Sequence, residues 1–295
     1  MEKPDWIRVR LPIGHSFEKI TQALRKRKLV TVCEEAHCPN IAECWQNEGT
    51  ATFMLMGDIC TRGCKFCAVK SGKPALPDPA EPQKLAEAIA EMELDYAVLT
   101  SVNRDDLPDQ GAGHFAACIN AIRAAHPDTL IEVLIPDFRG KKEAIQTIIN
   151  AQPSVIAHNI ETVERLQAAV RDKRASYQQS LHVLEYVKQR SPKIYTKSSL
   201  MLGLGETKEE ILQTMTDLRK ANTDIITLGQ YLRPSSWHVP VAKYYYPEEF
   251  AYYKIHAEEL GFLFSISGSL VRSSYRAGEL FIKNVVHHEE NTCII

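Results

Sequence analysis

Pro82-Gln83-Lys84-Leu85-Ala86-Glu87-Ala88-Ile89-Ala90-Glu91-Met92-Glu93-Leu94-Asp95-Tyr96-Ala97-Val98-Leu99-Thr100-Ser101 carries one repeat of the pattern that decides the fold: an amphipathic stretch over 82–94, then a β-rich apolar run over 96–101. Pro82 sits where a first-turn proline belongs. Similar apolar runs recur over 53–57, 130–136, 155–161, 197–204 and 224–232, separated by helical patterns over 114–125, 141–150, 176–190 and 207–221. Strand alternating with helix, at roughly 25–45 residues per unit, implies parallel βαβ units. Six such units predict an α/β chain folded as a partial (β/α)6 TIM-type barrel with N- and C-terminal extensions, in preference to a sandwich. Thr207 reads as an N-cap followed by the acids Glu209 and Glu210. A last helix over 247–260 is closed by Gly261 and leads to an apolar segment over 262–271.

The segment before residue 53 breaks the repeat, with one helical pattern over 16–28 and then a group of cysteines. The stretch 72–82 contains four prolines and reads as an ordered loop. The expected division is an N-terminal extension over 1–50, a barrel over 51–261 and a C-terminal segment over 262–295.

Lys and Arg number 35 against 37 Asp and Glu, a net charge of −2, so nothing global points to nucleic acid or an anionic membrane. The local run Arg25-Lys26-Arg27-Lys28 reads as a solvated helix end, with a docking patch for an acidic partner as the alternative. The charged, proline-bearing start lacks the apolar core of a secretory signal, and no apolar run approaches a bilayer-spanning length. Cys293-Ile294-Ile295 is one residue too short for a prenylation box. These features place the chain in the cytoplasm or a comparable reducing compartment.

Six of the eight cysteines, Cys33, Cys38, Cys44, Cys60, Cys64 and Cys67, fall within 35 residues. In a reducing compartment such a cluster reads as metal binding rather than disulfides. Cys118 reads as a small buried hydrophobe on a helix. Cys60, Cys64 and Cys67 form a C-x3-C-x2-C pattern directly after the first strand, at the end where barrel active sites are built. Three thiolates in one short loop suit three irons of a [4Fe–4S] cluster, and the missing fourth cysteine leaves one iron open to an outside molecule. Gly63 allows the sharp path the loop needs. A structural zinc loop is the alternative, but no matching second pair of ligands follows Cys67.

With Phe66 at the aromatic position, the loop resembles the radical S-adenosylmethionine (SAM) superfamily, in which the open iron chelates SAM and the cluster drives its cleavage to a 5′-deoxyadenosyl radical. The first triplet, Cys33, Cys38 and Cys44, has C-x4-C-x5-C spacing and precedes the second by 16 positions. The runs Val32-Cys33-Glu34-Glu35-Ala36-His37-Cys38-Pro39-Asn40 and Gly49-Thr50-Ala51-Thr52-Phe53-Met54 resemble the lipoyl synthase family, and the likeness extends to Arg272-Ser273-Ser274-Tyr275. It implies that Cys33, Cys38, Cys44 and Ser274 hold an auxiliary [4Fe–4S] cluster that supplies sulfur. A serine oxygen is a hard ligand, poorly matched to iron–sulfur chemistry, and should leave readily.

The resemblance further implies a reaction: two sulfurs inserted at C6 and C8 of an octanoyl chain on a lysine of a lipoyl carrier protein domain, with two SAM molecules consumed. The implied partners are octanoylated carrier domains, an electron donor protein and iron–sulfur assembly or carrier proteins, with no nucleic acid and no membrane. For SAM itself, Asn103 lies in the polar run Thr100–Asp106, which departs from the G-G-E-like segment of many superfamily members. His158-Asn159-Ile160-Glu161-Thr162 resembles the ribose-binding segment of biotin synthases, which nominates Asn159 and Glu161. Arg174 offers a fork for the methionine carboxylate, with a surface salt bridge as the alternative. Gly203 and Gly205 could let backbone approach the nucleoside, though a lone G-x-G is common. His287-His288-Glu289-Glu290 reads as solvated charge. The rival readings are another radical SAM sulfur-inserting or methylthio-transferring enzyme, and a non-catalytic zinc module.

Overall fold

The computed structural model describes residues 3–8, 15–36, 38–47 and 51–275. Its barrel runs β1 Thr52–Leu55, α1 Glu81–Met92, β2 Tyr96–Ser101, α2 Ala112–Ala125, β3 Leu130–Leu134, α3 Lys142–Asn150 and β4 Val155–Ala157. It continues with α4 Tyr177–Arg190, β5 Tyr195–Leu202, α5 Lys208–Lys220, β6 Ile225–Gln230, α6 Pro247–Glu259 and β7 Phe264–Gly268. All seven strands are parallel and lie side by side in chain order. The six expected units are present. A seventh strand, β7, forms where the sequence suggested only an apolar segment, with Phe264 opposite Ile225 and Gly268 opposite Gly229. Its serines obscured it, and they are tolerated because β7 hydrogen-bonds a neighbouring strand on one side only.

The two-residue strand Val30–Thr31 pairs antiparallel with β1 and covers the other sheet edge. Local chemistry sets the helix ends as anticipated. Thr207 and Glu210 form a reciprocal capping box on α5, and Gly261 follows α6 with φ +82°. The strands are buried almost throughout, as parallel strands covered by helices must be. Leu85, Ile89, Phe115 and Ile119 pack on the β1–β3 side, while Leu184, Ile211, Met215 and Phe250 pack on the β5–β6 side. Cys118 is fully buried on α2, as expected.

The barrel interior is closed at one end. Tyr96, Leu130, Val155, Tyr195, Ile225 and Phe264, the first residues of β2 to β7, meet in one apolar cluster with Val98. One step up, Lys197 Nζ donates to both oxygens of Glu132 at 2.9 and 3.0 Å, and the Tyr96 hydroxyl donates to Glu132 at 2.7 Å. The plugged end leaves the C-terminal ends of the strands as the mouth.

The N-terminal helix His15–Arg27 lies against α1. Trp45, fully buried, packs against Phe17 with ring centroids 5.0 Å apart and the planes tilted by 35°. Of the basic run, Lys26 and Arg27 pair with Glu91, and Arg27 also meets Glu87, so half of it is spent on α1. No helix among the described residues is long and apolar enough to cross a membrane. Residues 287–290 and Cys293 lie outside the described residues.

Removing one partner of a buried ion pair strands the other charge. Lys197→Met is expected to lower unfolding free energy in urea by roughly 3–5 kcal/mol, and the double variant Glu132→Leu/Lys197→Met to recover most of that loss. Equal stability of the single variant and the parent would show that the pair does not support the barrel floor.

Candidate active site

Beyond β1 the chain enters a parallel two-strand ribbon, Ile59–Cys60 with Lys70–Ser71, which brackets the second cysteine triplet. The loop between has little core of its own and is fixed by polar ties. Arg62, 3% exposed, spans Asp105 (Nε 2.9 Å, Nη2 2.8 Å) and Asp137 (Nη1 2.7 Å, Nη2 2.8 Å), which follow β2 and β3. Burial alone would raise the pKa of both carboxyls. Pairing with Arg62 more than offsets it and holds Asp105 and Asp137 below the usual carboxylate range. Lys65 N donates to Val170 O at 2.8 Å, Gly63 N to Asp172 at 3.0 Å and Val239 N to Lys65 O at 3.0 Å. His238 Nε2 lies 3.0 Å from Cys67 O. Loops after β2, β3, β4 and β6 therefore all grip the cysteine loop.

The sulfurs sit among donors. Cys60 Sγ accepts from Arg62 N at 3.4 Å and Asn103 N at 3.3 Å, and Cys64 Sγ accepts from Asp172 N at 3.3 Å. Burial pushes the Cys64 thiol up and the Cys67 thiol to about 12. Loading a metal here must therefore release protons. Seven cysteines among the described residues are free thiols. No three Cys, His, Asp or Glu side chains there converge on a single ion. N–H donors aimed at sulfur favour the anionic ligands a cluster needs.

Asn103 contributes through its backbone, its N–H to Cys60 Sγ and its carbonyl to Thr61. Phe66 beds against Val170, Leu204 and Tyr231. Asn159 Nδ2 donates to Glu161 Oε1 at 3.2 Å, while Asn159 Oδ1 is buried without a partner among the described residues. Glu161 takes φ +66° and is bridged to β5, and burial raises its pKa against the pull of Arg171. The fork of Arg174 is already engaged by Asp172, at 2.8 and 3.0 Å, and by Thr61 O at 2.7 Å. It clamps the loop. Gly203, at φ +112°, is required by the closeness of Gln230 and the Lys243 backbone.

The first triplet is assembled from both ends of the chain. Cys33 takes a backbone hydrogen bond from Thr52, and the Thr52 hydroxyl donates to Ser274 Oγ at 2.9 Å. Asn40 Nδ2 donates to Leu270 O at 2.6 Å, and the Tyr275 hydroxyl to Glu43 at 3.0 Å. Cys33 and Cys44 are buried, and Cys38 packs against the same core. Burial raises Cys33 to about 11 and lifts Cys38, which the nearby Arg272 partly counters. The fit to an iron cluster rests on this donor set: three thiols and one hydroxyl, gathered with a cation beside them.

The family model of the radical SAM superfamily matches residues 54–218, and that of the N-terminal domain of lipoyl synthase matches residues 1–38. A lipoyl synthase of Myxococcus xanthus is 55% identical over 287 residues, spanning 97% of this chain and 96% of that protein. One from Halobacterium salinarum is 57% identical, spanning 96% and 92%. The chain belongs to the lipoyl synthase family. Its fold is also similar to that of a solved structure, the FeFe-hydrogenase maturase HydG from Carboxydothermus hydrogenoformans, at TM-score 0.57 and 14% identity over 90% of this chain and 77% of that one.

Several residues of this lipoyl synthase family member escaped sequence reading. Arg62 and Asp137 lie 75 positions apart, and nothing local announces their pairing. Arg171, buried and bonded to Gln167 and Ser180, sets the field at Cys64 and Glu161. Gly229 looked like an ordinary strand residue, yet a Cβ there would overlap the Val271 carbonyl, so its bareness seats the segment bearing Ser274.

His158 is fully enclosed, with Nδ1 2.9 Å from Ile135 O and Nε2 3.0 Å from Ser180 Oγ. Burial, then Arg171, lowers its pKa to about 4. A depressed histidine contributes stability present above its unfolded pKa near 6.5 and lost as pH falls toward about 4, on the order of 3 kcal/mol in full. Urea unfolding of the metal-free chain should weaken over that window, and His158→Gln should flatten the dependence. An unchanged slope in the variant would assign the effect elsewhere.

Gly229→Ala should displace 270–275 from the mouth. Amide exchange at Val271 and Tyr275 should accelerate at least tenfold while exchange in α2 stays unchanged. Unaltered exchange at both amides would show that Gly229 is not the seat.

Proposed function

We propose that this chain inserts two sulfur atoms, at C6 and C8, into an octanoyl chain carried on a lysine of a lipoyl carrier protein domain. The observation that supports it most is the meeting of Ser274 and Cys33 on Thr52, with Tyr275 on Glu43 and Asn40 on Leu270. A generic radical SAM barrel has no need of such a union.

Cys60, Cys64 and Cys67 would hold a [4Fe–4S] cluster with one iron left for SAM, and Cys33, Cys38, Cys44 and Ser274 a second. When bound, the first supplies the electron that turns SAM into a carbon radical able to take unactivated hydrogens, and the second supplies the sulfur. Asn159 Oδ1 and Glu161 are suited to accept hydrogen bonds from adjacent nucleoside hydroxyls. Phe66, wedged among Val170, Leu204 and Tyr231, keeps water from one wall. Arg62, with Arg174 behind it, holds the cysteine loop at a fixed height over the mouth. Thr52 keeps its hydroxyl proton on Ser274 Oγ, where it would ease departure of an already mismatched oxygen ligand.

Octanoylated carrier domains, an electron donor protein and iron–sulfur assembly or carrier proteins are the partners this chemistry requires. We place the chain in the cytoplasm or a comparable reducing compartment, where six clustered cysteines would stay available to metal. The 1–50, 51–261 and 262–295 division is proposed as the functional one.

Anaerobic incubation with SAM, dithionite and an octanoyl-lysine peptide, read by peptide mass, tests the roles. Cys60→Ala should lose SAM cleavage altogether. Cys38→Ala should keep cleavage and form no sulfur-bearing peptide. Lipoyl product from the Cys38 variant at the parent level would refute the sulfur-donor role.

A further inference from the structure

The chain leaves β1 through two successive residues in the left-handed region, Met56 at φ +66° and Gly57 at φ +88°, and reaches Cys60 three residues later. That conformation is uncommon for a residue other than glycine. Among the described residues, 56–58 make no backbone–backbone hydrogen bond, so the turn is not closed by its own backbone. The tie comes from elsewhere. Glu81 opens α1, and its Oε2 accepts from Met56 N at 3.0 Å and lies 2.5 Å from His114 Nε2 on α2.

Glu81 is 8% exposed, and among the described residues no lysine or arginine pairs with it. Its charge is offset by the imidazole, the Met56 amide and the N-terminus of α1. A buried carboxylate needs such donors, and each one narrows where it can stand. The same turn of α2 also seats the Met56 side chain. A Cβ on Gly111, just before α2, would stand 2.5 Å from Met56 Sδ. Asp109 accepts from Gly111 N at 3.0 Å and from Gly113 N at 2.8 Å, which fixes this end of the helix. The loop leading to it meets the cysteines again at Asn103, whose N–H donates to Cys60 Sγ at 3.3 Å.

We infer that Glu81, held by His114, is a positioning residue for the loop of Cys60, Cys64 and Cys67: its carboxylate fixes the exit from β1 and so the place of Cys60 over the mouth. The inference rests on the function proposed above only where that gives these thiols the SAM-binding cluster. Glu81 takes no part in bond making. It acts through the loop, because a misplaced loop misplaces whatever it carries.

The test compares Glu81→Ala, Glu81→Gln and His114→Ala in the full chain. In the metal-free protein, amide exchange at Met56 should accelerate about tenfold in Glu81→Ala, while exchange at Val133 in β3 keeps the parent rate. In the cluster-loaded protein, iron and sulfide should match the parent. SAM affinity, titrated through the SAM-dependent change in the EPR signal after dithionite reduction, should fall about tenfold. Glu81→Gln keeps an oxygen for the Met56 amide and should stay within about threefold of the parent on both readouts. His114→Ala leaves the carboxylate but cuts its tether; it should move both readouts the same way by less, and it serves where Glu81→Ala takes up no iron. SAM binding needs no octanoyl substrate, so a failure of sulfur insertion would leave these results standing. Parent SAM affinity in both alanine variants would overturn the inference. So would weaker SAM binding with Met56 exchange unchanged, or an equal rise of exchange at Met56 and Val133, which would mark a general loss of stability.

Discussion

The Arg62 guanidinium, sunk between Asp105 and Asp137, is the contact on which the rest of the site depends. A loop carrying three thiols cannot bury enough apolar surface to fix itself. Its neighbours are held by separate hydrogen bonds, Gly63 N and Cys64 Sγ to Asp172 and Lys65 N to Val170 O. A planar fork reaching two carboxylates on loops after different strands fixes both position and orientation, which a lysine's point charge would not. Because the pair is buried, the charges are costly unless matched, so the loop has one low-energy seat rather than several. From that seat follow the N–H contacts to Cys60 and Cys64 and the grip of the loops after β4 and β6.

The barrel supplies complementary ends. Six strand-starting side chains seal one end around the Lys197–Glu132–Tyr96 network, and at the other end polar loops and glycines crowd the mouth. Glu161 in a left-handed conformation, Gly203 against Gln230 and Gly229 beneath Val271 all lie at this mouth end. Close backbone approach at Gly203 and Gly229 falls where binding requires fixed geometry, while the sealed end bears the stability.

The repeat of strand and helix was legible because each unit carries its own punctuation: Pro82, Thr207 with Glu210, Gly261. β7 was missed because Ser265 and Ser267 interrupt its apolar run, and the register with β6 that stabilises it is not local. Cysteine spacing revealed both triplets, since thiol ligands must sit close in sequence to wrap one cluster. Ser274 is nominated only by likeness to a family. Its physical tie is a hydroxyl bond to Thr52, 222 positions away, and composition carries no trace of it. Arg174 carries two readings in the sequence, a fork for a ligand's carboxylate or a salt bridge, and the fold pairs it with Asp172.

The central claim is that one chain holds two separate iron–sulfur cubes, the second built from the N-terminal thiols and a C-terminal serine. Counting iron and acid-labile sulfide per chain after anaerobic loading tests it most directly. Two [4Fe–4S] clusters give about eight of each in the parent and about four in Cys38→Ala. About four in the parent, or no drop in the variant, would contradict the account.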